Sequence, residues 1–165
     1  MILRCTAKML TLLGARAAAL PDVPPSDDDW YLNLLWIERR KCFLLTHAGT
    51  LFPVFVADVR KADLRPLGRY VVSLIEEHLR SELLAADTLG RLDPDDVHLA
   101  KTASRSILGV MNDAALHARY QIEAMGGIDR SDTISLNHFL RRTLHNRAGD
   151  YVTPLDLLAQ RVPFE

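Results

Sequence analysis

Trp30-Tyr31-Leu32-Asn33-Leu34-Leu35-Trp36-Ile37, then Glu38-Arg39-Arg40-Lys41, then Cys42-Phe43-Leu44-Leu45-Thr46: this stretch decides the fold. Both outer runs are built from the aromatic and aliphatic residues that pack well on a pleated surface. Two such runs joined by a short polar connection read as a β-hairpin. The runs are apolar at nearly every position rather than at alternate ones. A sheet with that pattern is covered on both faces, so helices must pack against it.

Working outward, residues 1–5 read as a short strand and 7–18 as a helix. Residues 20–29 change character: Pro21, Pro24 and Pro25 stiffen them, and Asp22, Asp27, Asp28 and Asp29 make them acidic. That composition reads as a solvated surface loop. Residues 50–59 are ambiguous. Leu51, Phe52, Phe55 and Val56 fit helical spacing, with Thr50 as N-cap and Pro53 in the first turn. The same residues have good β-propensity, and periodicity does not separate the two for so short a run. Helix is slightly preferred.

A helix over 67–86 is clear, with Leu67, Val71, Leu74, Ile75, Leu79 and Leu83 on one side and Glu76, Glu77 and Arg80 on the other. Gly90 and Asp93-Pro94 mark a turn, residues 97–101 a further strand, and 104–125 a long helix closed by Gly126-Gly127. A last helix over 135–146 precedes a tail, 148–165, whose Tyr151, Pro154, Leu155, Leu157 and Leu158 are apolar enough to dock. The expected fold is α+β, a single domain over 1–165. Its small, mostly antiparallel sheet has about four strands (1–5, 30–37, 42–46, 97–101). Helices at 7–18, 67–86, 104–125 and 135–146 cover it.

The chain of 165 residues, 48% hydrophobic and 25% charged, can bury a core without disulfides or metal. Its formal net charge of −1 advertises no polyanion, so a nucleic-acid partner would have to meet a local patch. Cys5 and Cys42 lie in apolar runs without zinc-ligand spacing. Buried free thiols in a reducing compartment are the plain reading; a disulfide or a reactive thiol is the alternative. The N-terminus lacks a small-residue cleavage site, and no apolar run approaches the ~18 residues of a membrane span. A cytoplasmic protein without membrane contact is expected.

The segment from Arg105 to Tyr120 carries the most chemistry. At ~100° per residue, Ile107, Met111, Ala114, Ala115, Ala118 and Ile122 gather on a core face. Ser106, Asp113, His117 and Tyr120 gather on a polar one, with Arg105, Gly109 and Asn112 beside them. Ser, Asp and His together suggest a catalytic triad, and helix geometry excludes it. At ~1.5 Å per residue, Ser106 lies roughly 16 Å along the axis from His117 and about 10 Å from Asp113. A nucleophile and its base must come within ~3 Å.

What survives is an Asp113–His117 pair, four residues apart, which would favour histidine protonation or simply support the helix. Arg105 near the helix start could hold a phosphate or carboxylate. Gly109 would then admit a ligand or another backbone. The plainer alternative is a Ser104 or Ser106 cap, an Arg105 ion pair and a packing glycine.

Basic residues cluster in three places: Arg39-Arg40-Lys41; Arg60, Lys61, Arg65 and Arg69, diluted by Asp58 and Asp63; and Arg141, Arg142, His145 and Arg147. Two clusters facing the same way would make a phosphate-binding surface; otherwise they are ordinary solvated charge. His47, His78, His98, His117, His138 and His145 form no H-x-x-x-H or H-E-x-x-H pattern, so no metal site is expected. The chain has no G-x-G-x-x-G, no P-loop and no G-x-S-x-G, so no cofactor is expected either.

Three stretches carry a resemblance: Ile2-Leu-Arg-Cys-Thr6, the hairpin from Trp30 to Cys42, and Ala100-Lys-Thr with Arg105-Ser-Ile-Leu-Gly-Val-Met-Asn-Asp113. As a set they resemble an uncharacterised bacterial domain family, known as a domain of unknown function, over most of the chain to about residue 125. The resemblance implies a bacterial, single-domain protein and brings no activity with it.

The leading functional expectation is a binding module that contacts nucleic acid or a protein partner. Arg39, Arg40 and Lys41 would supply contacts, with Arg105 and Asn112 as a second anchor. The first alternative is a small phosphate-handling enzyme, such as a nuclease-like toxin, with Arg105 on phosphate and His117, tuned by Asp113, as acid or base. The second is a regulatory or structural subunit.

Overall fold

The central hairpin forms, and its turn is tighter than its polar run suggests. In the computed structural model, which describes residues 1–161, strand β2 is Trp30–Ile37 and β3 is Arg40–His47. Only Glu38 and Arg39 lie between them, both with positive φ (49° and 65°). Two left-handed residues make the turn whose twist matches that of the strands it joins. Arg40 and Lys41 therefore belong to β3. Successive side chains of a strand point to opposite faces, so these two cations leave the sheet on opposite sides.

The sheet has five strands, in the order β4-β3-β2-β1-β5, with β1 at Ile2–Cys5, β4 at Pro53–Val56 and β5 at His98–Lys101. It is mixed rather than mostly antiparallel: β1 runs parallel to both β2 and β5, while β2–β3 and β3–β4 are antiparallel. The slight preference for helix at 50–59 is corrected. Val54, Phe55 and Val56 complete the open edge of β3 by pairing with Leu45, Leu44 and Phe43. Pro53 opens an edge strand, where its missing N–H costs no ladder bond, and Leu51 at φ 59° is incompatible with a continuing helix.

Both faces are covered. One packs Leu3, Trp30, Leu32, Leu34, Phe43 and Leu45 beneath helices α1 (Ala7–Leu13) and α2 (Leu67–Ser81). The other packs Tyr31, Leu35, Cys42, Leu44 and Phe55 beneath α3 (Arg105–Ala124) and α4 (Thr133–Arg141).

Three helices stop earlier than periodicity implies. Gly14, at φ 68°, caps α1, which ends at Leu13, five residues before the expected boundary at 18. Leu83, at φ 60°, breaks the register after α2. After α4 the chain turns into a second hairpin, β6 (His145–Arg147) and β7 (Asp150–Val152), in place of the expected last helical turn. Its two-residue connection, Ala148-Gly149, again has positive φ at both positions (54° and 94°). Helix α5, Pro154–Arg161, buries Pro154 and Leu158; the rest of the tail, from 162 on, lies outside the described residues.

Candidate functional site

Helix α3 starts at Arg105 because Ser104 caps it: the Ser104 hydroxyl accepts from the Ile107 N–H at 3.3 Å. Ile107, Met111, Ala114, Ala115, Ala118 and Ile122 are all buried, the face that the spacing sorts out. Burying that stripe leaves the first turn at the mouth of a cleft of about 550 Å³. Ser104, Arg105 and Ser106 form one wall, Ser26 and Asp27 of the acidic loop another, and Arg147 of β6 a third. No acidic residue stands in the first turn of α3. The positive end of the helix dipole is therefore uncompensated from within its own turn.

Tyr31 also lines the cleft, although it is only 1% exposed. Burial pushes its phenol pKa up, against the opposing charge of Arg4 and the nearby backbone N–H groups of Ala103 and Ser104. Arg147 is held in place because its guanidinium donates to the Gly49 carbonyl. The cleft thus gathers two guanidiniums, a phenol and a helix start against one exposed carboxylate, Asp27.

Of the residues singled out on α3, Arg105 and Ser106 line this cleft, and Asn112, Asp113 and His117 do not. Asn112 is exposed further along the helix. Nothing lies within 4 Å of where a Gly109 Cβ would stand, so no backbone approaches there. His117 packs edge-on against the Phe139 ring of α4, with ring centres 6.1 Å apart. Asp113 and His117 both act on buried His145: burial lowers the His145 pKa, Asp113 opposes that, and His117 adds to it. These side chains belong to the packing between α3, α4 and β6, and Arg105 is not brought together with them.

The basic clusters separate into structural and free members. Arg40 is committed to two carboxylates, Asp58 at 3.0 Å and Asp129 at 2.6 Å. Arg141 is fully buried; it bonds Glu82 at 3.0 Å, Ser81 at 3.1 Å and His78 at 2.6 Å, and lies over the Phe52 ring. Arg142 joins the same Glu82. Arg39 stands exposed at the turn. Lys41 lines a second, smaller cleft of about 350 Å³ together with Lys61 and Arg65, above Leu12, Leu13 and Leu64.

Tyr31 escapes a reading of the sequence, while Arg147, Lys41, Lys61 and Arg65 are read there as members of basic clusters whose partners in space the sequence does not give. Tyr31 looks like a core strand residue, and Arg147 sits in a segment that reads as the end of a helix. The signal for Lys41 was present in the alternation of β3, but a four-residue connection at 38–41 conceals it. Among the described residues, no three His, Cys, Asp or Glu side chains gather as metal ligands would, and no helix is long and apolar enough to cross a membrane.

Fold and site define an α+β domain: a five-stranded mixed sheet with helices on both faces and two basic clefts. The chain belongs to the family described as Domain of unknown function (DUF6933), whose model matches residues 2–157. The comparison with curated proteins found no match, and the comparison with solved structures found none either.

Proposed function

We propose that the protein is a binding module whose cleft at the start of α3 holds an anionic group, phosphate or carboxylate, on a small ligand. One observation carries this reading: Arg105 and Arg147, from segments remote in sequence, flank the same helix start with the buried Tyr31 phenol between fold and cleft. Backbone N–H groups at a helix start and planar guanidiniums are the donors that oxyanions select. A volume of about 550 Å³ falls in the range of small-molecule sites.

Binding is favoured over the phosphate-handling enzyme that the sequence suggests, because that enzyme puts its acid or base on His117, tuned by Asp113, within reach of a phosphate on Arg105. Asp113 and His117 lie outside the cleft. The family resemblance supports a bacterial setting, and the two free, buried thiols of Cys5 and Cys42 fit a reducing cytoplasm.

The test is an amide-resonance titration with inorganic phosphate and with a nucleoside monophosphate. Ser104, Arg105, Ser106 and Ile107 amides should shift together, and Arg105→Ala or Arg147→Ala should weaken binding about tenfold or more. Shifts confined to other regions, or variants that bind like the parent, would sink the reading.

A further inference from the structure

In the β2–β3 ladder Trp36 stands directly opposite Lys41. Directly paired residues share a face, with Cβ atoms about 4.5–5.5 Å apart. That face is the one covered by α1, yet Trp36 is 52% exposed while Leu34, two residues earlier on the same side, is only 5% exposed. The cover runs out here: Leu12 and Leu13, at the end of α1, reach the cleft beside Lys41. A large flat indole is thus left open on the residue that the ladder pairs with a lysine.

Lys61 and Arg65 complete the grouping from the short 3-10 turn Lys61–Leu64 and the residue after it. Lys41, Lys61 and Arg65 make no ion pair with any described residue, unlike Arg40 one position away. Of the two acidic residues that dilute this segment in sequence, one is paired with a cation outside the grouping and the other stays in the turn, one negative charge against three positive ones. Asp58 pairs with Arg40, and Asp63 accepts from the Arg60 N–H at 2.8 Å. Local charge is therefore positive although the chain as a whole carries −1.

We propose that Trp36, Lys41, Lys61 and Arg65 form a second site, one that binds single-stranded nucleic acid. A base stacks on the Trp36 indole and neighbouring phosphates lie on the three cations. Indole stacking requires an unpaired base, which excludes duplex as the preferred form. This site goes beyond the small-anion cleft and is independent of it. Tyr31 and Trp36 are five residues apart on β2, roughly 17 Å along the strand, and they point to opposite faces.

The experiment measures fluorescence anisotropy of a labelled single-stranded 12-mer of mixed sequence against the full chain at low salt. A duplex of the same sequence and heparin serve as competitors. Single strands should bind best, with a salt dependence of log K near −2 for about three phosphates. Trp36→Leu should weaken binding roughly 5- to 100-fold, the worth of one stacked base, and Lys61→Glu with Arg65→Glu should abolish it. Trp36 is exposed, so its replacement should leave the thermal midpoint within a few degrees, which melting checks directly.

No binding at low salt, a preference for duplex, or Trp36→Leu binding like the parent would each overturn the proposal. Heparin competing equally in the parent and in Trp36→Leu would mean a bare basic patch, which also overturns it. Arg105→Ala should leave this affinity unchanged, and Trp36→Leu should leave the phosphate-induced shifts at Ser104–Ile107 unchanged. Failure of one site is thereby told apart from failure of the other.

Discussion

Arg4 and Asp29 form an ion pair at 2.6 Å with both side chains almost wholly out of water, 2% and 4% exposed. The rest of the guanidinium is also bonded, to the carbonyls of Lys101 at 2.9 Å, Val23 at 2.8 Å and Pro24 at 3.0 Å. Asp29 accepts in addition from the Ser26 N–H at 3.0 Å. One side chain on β1 thus ties the neighbouring edge strand β5 to the acidic loop. The loop's last aspartate is not a solvating charge but the partner of a buried cation.

Desolvating two ions offsets much of their attraction, so such a pair adds modest net stability, while removing one partner leaves a buried charge uncompensated. Arg4→Met should therefore destabilise by about 3–5 kcal/mol in urea unfolding. Because Ser26 and Asp27 wall the α3 cleft, the variant should also bind phosphate more weakly than a surface control such as Arg16→Met. A loss below about 1 kcal/mol would show that water reaches the pair.

Glu82 plays a similar part on the opposite side of the sheet edge. Burial raises its pKa, and hydrogen bonds from Arg142 and Arg141 more than reverse that, so it stays ionised below the usual range. Its carboxylate, in a side chain 5% exposed, is what makes a fully buried Arg141 tolerable. Glu82→Gln should cost roughly 3 kcal/mol. Calorimetric melting should show that loss, whereas Glu76→Gln, in an exposed helical pair with Arg80, should change little.

Acid should weaken the fold through His47 and His78. Burial lowers both to about 4, and Arg161 acts in the same direction on His47 as Arg141 does on His78. Unfolded histidine titrates near about 6.5. Between those values the unfolded chain holds protons that the folded chain does not. Stability should fall as pH drops from about 7 towards about 4, by up to roughly 3 kcal/mol per histidine, and these two groups add no further loss below that. Urea midpoints across this window check the slope, and His78→Asn should flatten it; a midpoint indifferent to pH would contradict the burial of both rings.

How much of this was legible follows from which signals are local. The hairpin strands, α2 and the core face of α3 are written in composition and period, and they form, although β3 begins two residues earlier and α2 ends five residues earlier than the sequence puts them. Parallel pairing of β1 with β2 and β5 is not local: nothing in Ile2–Cys5 says which strands flank it, and the choice depends on a crossover through α1 and a loop held by Arg4. The two-residue turns at Glu38-Arg39 and Ala148-Gly149 were hidden because three of those four residues carry side chains that rarely adopt positive φ. Missing the first turn hid the split between Arg40 and Lys41; missing the second hid that Arg147 leaves the basic cluster of Arg141 and Arg142 for the cleft. Of the candidate cleft, Arg105 and Ser106 were readable and Tyr31 was not, since a strand tyrosine looks alike whether its hydroxyl ends in a core or at a cavity.

Gly109 offers the sharpest check on the α3 surface. It lies inside a twenty-residue helix, is exposed, and has open space where a side chain would begin. Its φ is not in the left-handed region, so alanine fits the backbone without strain. Relative to glycine, alanine at an exposed helix interior gains roughly 0.5–1 kcal/mol. Gly109→Ala should therefore raise the urea midpoint while leaving phosphate shifts at Ser104–Ile107 intact, because Gly109 does not line the cleft. If the variant is more stable but loses phosphate binding, the ligand extends along the helix beyond its first turn, and the cleft drawn from Arg105, Arg147 and Tyr31 is too small. If it is less stable, a second copy of the chain packs on that face in solution, and the midpoint should then depend on protein concentration.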